Sequence, residues 1–179
     1  MLDNSLINRM DWAWRLAFAQ GATIFFLFFS LINWPLPQAG DVSPFFLLMA
    51  VYYWAIFRPT LLPPAAVFAL GLSFDFLTNV PLGFNTIVLL LMQWIVKDQR
   101  LYLMGQPYMM IWLGFVVTCV LASLIQLGLY WLFHGVFPSL VSVGINTGLN
   151  ILLFPLVSLV LNLPHRFLPV AHVPYKSVE

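Results

Sequence analysis

Charge is what this sequence has least of: charged residues make up 7% of 179, and the formal net charge is +1. Its seven Lys and Arg residues are scattered. With no basic cluster to neutralise phosphates, nucleic acid is excluded as a partner and an acidic substrate is disfavoured. Cysteine is nearly absent as well. Cys119 stands alone in an apolar run, so neither an internal disulfide nor a thiolate metal site can form, and it reads as a small core residue.

Motifs that carry chemistry are missing too. The chain has no His-Glu-x-x-His, no Gly-x-Ser-x-Gly and no Gly-x-x-x-x-Gly-Lys. His134, His165 and His172 are expected in loops or the tail, and Asp75 is the only acidic residue within an apolar segment. A zinc centre or an intramembrane aspartate pair therefore cannot be assembled, and Ser73, two residues from Asp75, has no base in a span to activate it. One ionisable group is also too few for a proton or ion relay. The expectation is a non-enzymatic protein without cofactor or metal.

What is present is apolar surface. Hydrophobic residues make up 62% of the chain and aromatics 17%, with a mean hydropathy of +0.95. That composition implies an all-α integral membrane protein lying in membrane lipid. About 20 apolar residues cross a hydrocarbon core about 30 Å thick. Six segments are predicted to cross, at about 14–34, 45–57, 61–78, 83–96, 109–133 and 136–161. The first exceeds a secretory h-region of roughly 7–15 residues and is expected to be retained. The second is short, begins after Pro44 and ends at Arg58-Pro59, so it must thin the bilayer or borrow flanking residues. The sixth carries Pro155, which should kink it unless a neighbour satisfies the carbonyl that proline frees.

Orientation follows from the basic residues. With both termini cytoplasmic, Arg9, Arg15, Arg58, Lys97, Arg100, Arg166 and Lys176 all fall on inside segments. The connections around Asp41, residues 79–82 and residues 134–137 contain none, as the positive-inside rule requires. They look short and featureless. The inside stretch KDQRLYLMGQPY, residues 97–108, is expected to be a connection whose Tyr102 and Tyr108 sit in the interfacial belt. No soluble domain is expected.

Three patterns stand out within the spans. In the sixth, Gly144-x-x-x-Gly148 lies beside Asn146 and Asn150, which predicts close helix packing, within the bundle in preference to between two copies of the chain. In the fifth, Cys119, Ser123, Gln126 and Tyr130 form one polar face that should point inward, and in the third Ala65, Ala69 and Ser73 form a row of small residues. Asp75 is the most unusual, because a charge at the bilayer centre costs roughly 2.5 kcal/mol or more. It lies within about one helical turn of the outer interface, with Gly71 at i−4 and Thr78 or Asn79 at i+3 or i+4. Two readings stay open: Asp75 caps the next helix or bonds the turn at residues 80–83, or it contacts a ligand or partner.

The stretch GLSFDFLTNVPLGFN, residues 71–85, also carries a resemblance. Gly71-Leu72, Asp75, Pro81-Leu82-Gly83 and Asn85, in a small six-span chain, resemble the rod shape-determining MreD family. The pattern departs at Asn79-Val80, where small or glycine-rich residues are more usual. The resemblance implies a multi-pass protein of the bacterial inner (cytoplasmic) membrane. It further implies a bundle like the substrate-binding S-components of energy-coupling-factor transporters. As a function it implies a scaffold of the cell-wall elongation complex that binds MreC and, through it, MreB, RodA and a penicillin-binding transpeptidase. The reading from another class is a vitamin-binding subunit of such a transporter.

Overall fold

A computed structural model describes residues 17, 20–32, 34–36 and 40–167. Among these residues the order is α1 (Gln20–Phe29), an antiparallel ribbon of β1 (Trp34–Leu36) and β2 (Gly40–Val42), then α2 (Phe46–Phe57), α3 (Pro64–Leu77), α4 (Phe84–Met104), α5 (Tyr108–His134) and α6 (Leu140–Phe167). Parts of the first expected span, Arg9, Arg15, His172 and Lys176 lie outside the described residues.

The architecture is a helical bundle built around α2. Its sequence, FLLMAVYYWAIF, is apolar on every side, and residues 46–56 are all buried. A helix apolar all round belongs in an interior. This explains the shortness of the second segment. Twelve residues rise only about 18 Å, too little to span about 30 Å of hydrocarbon. Helices α1, α4, α5 and α6 surround α2 instead.

Buried helix ends leave unbonded backbone groups, and side chains from distant helices satisfy them here. At the start of α2, Phe45 N donates to Asn150 Oδ1 on α6 (2.8 Å), and Leu47 N donates to Ser30 Oγ just after α1 (2.9 Å). At its end, Arg100 Nε donates to the Ile56 carbonyl (2.9 Å). The next connection is held by Gln20 and Gln93, whose amides donate to the carbonyls of Leu61 (3.0 Å) and Leu62 (2.8 Å). Inside, the rings of Phe115 and Phe154 stack at 4.1 Å, Tyr52 meets both edge-on, and its hydroxyl donates to the Ile111 carbonyl.

Three expectations change. The stretch at 97–104 is not a connection, because α4 continues to Met104. Lys97, Asp98, Gln99 and Arg100 continue the helix beyond its apolar part, and Arg100 bonds across to α2. The connection around Asp41 is not featureless, because it forms the β1–β2 ribbon. Finally, His134 closes α5, and α6 runs to Phe167, so His165 lies in a helix rather than the tail.

Pro155 leaves α6 unbroken for a visible reason. Proline removes the bond to the carbonyl at i−4, which is Ile151, and Trp112 Nε1 of α5 donates to that carbonyl at 3.2 Å. Trp112→Phe should therefore lower stability by about 1 kcal/mol, the low end of the cost of an unsatisfied polar group, because this bond is only partly buried. Thermal melting of the detergent-solubilised protein measures this, and an unchanged melting curve would contradict it.

The outward sides of the bundle are apolar: Phe25, Phe28, Phe76, Trp94, Leu124, Leu132, Leu152 and Leu156 are all exposed. Two helices, α5 and α6, are long and apolar enough to cross a membrane, and α1, α2 and α3 are shorter apolar helices.

Candidate functional site

The residues at 71–86 build one compact unit, the α3–α4 hairpin. Helix α3 starts with Pro64 in its first turn, where a missing N–H costs nothing. It ends in a Schellman motif: Val80 N donates to the Asp75 carbonyl (3.2 Å) and Asn79 N to the Phe76 carbonyl (3.4 Å). That closure requires a left-handed residue, and Asn79 has φ 54°. Asparagine tolerates this conformation better than most residues, so Asn79 can stand where a glycine would otherwise serve. Pro81 then closes the turn by accepting from Phe84 N at 3.1 Å.

Gly83, with φ 98°, is the N-cap residue of α4 and has no side chain to cap it. Asp75 supplies that cap from the neighbouring helix. Its Oδ2 accepts from Gly83 N (2.9 Å), Thr86 N (3.3 Å) and Thr86 Oγ1 (2.7 Å), and its Oδ1 accepts from Asn85 N (2.9 Å). The side chain is 0% exposed. No Lys or Arg is among its hydrogen-bond partners; the stabilising field comes from three backbone N–H groups and the positive end of the α4 dipole.

Neighbouring residues extend the lock in two directions. A Cβ on Gly71 would lie 2.8 Å from Thr86 Cα, so glycine is what lets α3 and α4 approach closely enough for the carboxylate to reach. On the other side, the Asn85 carboxamide accepts from Gln126 Nε2 of α5 at 2.9 Å. Gly71, Asp75, Gly83 and Asn85 thus converge, whereas Pro81 only shapes the turn and Leu82 is 67% exposed at its tip. Of the two readings of Asp75, the capping geometry is the one observed. Thr86 is the member that the sequence reading missed; a threonine following the turn in an apolar helix was the available signal.

The sixth-span group does not act as one face. Asn150 is buried as the cap of α2, whereas Gly144 and Gly148 are exposed with nothing within 4 Å of an added Cβ. The expectation that this glycine pair packs within the bundle is corrected. Two residues of helix turn through about 200°, so once Asn146 and Asn150 face inward the glycines must face out. The polar face of α5 does turn inward: Ser123 Oγ lies 2.7 Å from Thr147 Oγ1, and Gln126 meets Asn85. Ala69 and Ser73 instead line an open apolar groove between α1 and α3.

No group of three or more metal-capable side chains occurs among the described residues. Comparison with protein-family models, with curated proteins and with solved structures finds no match for this chain.

Proposed function

We propose that the chain is a non-enzymatic membrane scaffold of the bacterial cell-wall elongation complex, of the MreD kind. In this reading it crosses the inner membrane six times, with both termini in the cytoplasm and an S-component-like bundle. It binds MreC and, through it, joins MreB, RodA and a penicillin-binding transpeptidase.

The observation that carries the reading is the commitment of Asp75. A carboxylate accepting four hydrogen bonds within a helix cap is engaged in holding the hairpin's shape, which suits architecture rather than proton transfer or ion coordination. The apolar sides turned outward by α1, α3, α4, α5 and α6 also favour it, because a scaffold needs faces for lipid and for partner spans. Asparagine and glutamine amides and an arginine serve backbone ends in the same way as Asp75, so the buried polarity is largely structural.

Purification of the tagged protein from native membrane in mild detergent, followed by mass spectrometry, tests the proposal. The expected result is recovery of MreC with wall-synthesis enzymes, reduced for Asp75→Asn alongside altered width of complemented rod cells. Recovery of an ATPase pair, or of a retained small molecule without MreC, would overturn the scaffold reading.

A further inference from the structure

Cations that are scattered in the sequence are gathered by the fold at the end of the bundle where α2 stops. Two hydrogen bonds fix which side of α4 meets the α2–α3 connection: Gln93 Nε2 donates to the Leu62 carbonyl (2.8 Å) and Arg100 Nε to the Ile56 carbonyl (2.9 Å). Gln93, Lys97 and Arg100 stand at i, i+4 and i+7 on one side of the helix, so Lys97 lies between the two anchors, which are about 10 Å apart along the axis. Arg58 belongs to the connection itself, as the C-cap residue of α2. Arg58, Lys97 and Arg100 therefore converge on one short segment of chain.

Among the described residues no carboxylate balances them. Asp41 and Asp75 belong to the opposite end of the bundle. Asp98 is exposed on α4, and residues one or two apart on a helix do not face each other, so it meets neither Lys97 nor Arg100. Burial lowers the pKa of the half-buried Lys97 ammonium, with no counter-charge to offset it. Arg100 uses only Nε at the Ile56 carbonyl, and its two terminal nitrogens keep their donors. Apolar surface lies directly beside this group. Ile87, Leu91 and Trp94 are exposed at i, i+4 and i+7, and Trp94 is the surface neighbour of Lys97 at i, i+3. That stripe leads away from the cations toward the start of α4. A small anion would use the cations alone, and an acidic peptide has no hydrocarbon to lay along the stripe. A charged headgroup on an acyl chain matches both.

We propose that this corner of the bundle holds one anionic phospholipid, with its phosphodiester among Arg58, Lys97 and Arg100 and an acyl chain along Ile87, Leu91 and Trp94. The phosphate oxygens accept from the guanidinium and ammonium donors, and the headgroup supplies the negative charge that the described residues do not. The inference rests on the bundle lying in lipid and is independent of whether MreC is a partner.

The test titrates the full chain, in a neutral detergent, with phosphatidylglycerol or phosphatidylcholine and counts retained lipid by native mass spectrometry. Both lipids carry the same phosphodiester, but the choline cation neutralises it in the second. Phosphatidylglycerol is expected to bind about tenfold more tightly or better, with the first copy saturating before any other. Lys97→Gln and Arg58→Gln should each weaken it by about fivefold and leave phosphatidylcholine unchanged, whereas Lys97→Arg should bind as the parent does. Lys176→Gln removes the same charge from outside the described residues and should have no effect. If Lys97→Gln is not recovered folded, Arg58→Gln carries the same comparison. Equal retention of the two lipids, or an equal loss in Lys176→Gln, would mean that lipid follows net charge alone and would overturn the proposal. So would variants that keep phosphatidylglycerol but lose a protein co-purified from native membrane, because an acidic partner segment would then occupy the corner.

Discussion

Asp75→Ala should lower the melting temperature of the purified protein by about 6–12 °C. The carboxylate satisfies Gly83 N, Asn85 N and Thr86 N, all at the first turn of a helix that packs against α2. Removing it strands those donors, and a loss of about 3 kcal/mol follows at the roughly 1–3 kcal/mol typical of an unsatisfied buried group. For a chain of this size each kcal/mol moves the midpoint by about 2–4 °C. Asp75→Asn should fall between the two. One oxygen remains to accept, while the amide nitrogen opposes backbone N–H groups and recovers only a bond to Thr86 Oγ1. Melts of the three proteins in one detergent decide the matter. A loss of less than about 2 °C for the alanine variant would show that the cap contributes little.

Gly71→Ala is the second large effect, and it should be coupled to the first. The added methyl would sit 2.8 Å from Thr86 Cα and 2.9 Å from Thr86 Oγ1, and backbone cannot yield as a flexible side-chain tip would. Overpacking of this kind costs about 1–3 kcal/mol. Thr86 also supplies two of the four bonds to Asp75, so pushing it away weakens the cap as well. In a double-mutant cycle, Gly71→Ala with Asp75→Ala should therefore cost less than the sum of the singles, by at least about 0.5 kcal/mol. Strict additivity would rule out the shared mechanism. As a contrast, Gly144→Ala and Gly148→Ala should not lower the melting temperature, because open space surrounds both positions and alanine is the better helix former.

The helical character of this fold was legible where length and hydropathy act together, as in α5 and α6. It was less legible where the relevant partner is remote in sequence. The apolar run of α2 reads the same whether it meets lipid or protein, so its central place could not be inferred from periodicity. Lys97, Asp98 and Arg100 looked like a connection because charges end an apolar segment. Yet an arginine can continue a helix when its guanidinium reaches a carbonyl 44 positions away, as Arg100 does at Ile56. Asp75 as a cap was readable, because it, the turn and the next helix lie within a dozen residues. Asn150 as a cap was not, because its partner is 105 positions earlier. The glycine pair misled for a related reason: spacing shows that two small residues share a side of a helix, but not which side the asparagines will claim.

The same cap sets an order of events during synthesis. Phe45 leaves the ribosome long before Asn150, and its amide at the start of α2 has no such acceptor until residue 150 has been made. Ser30, already translated, can hold Leu47 N at once, so the nascent helix begins with half of its end secured. Helix α2 is therefore completed by α6, and a ribosome stalled before residue 150 would leave α2 still lacking its Phe45 acceptor.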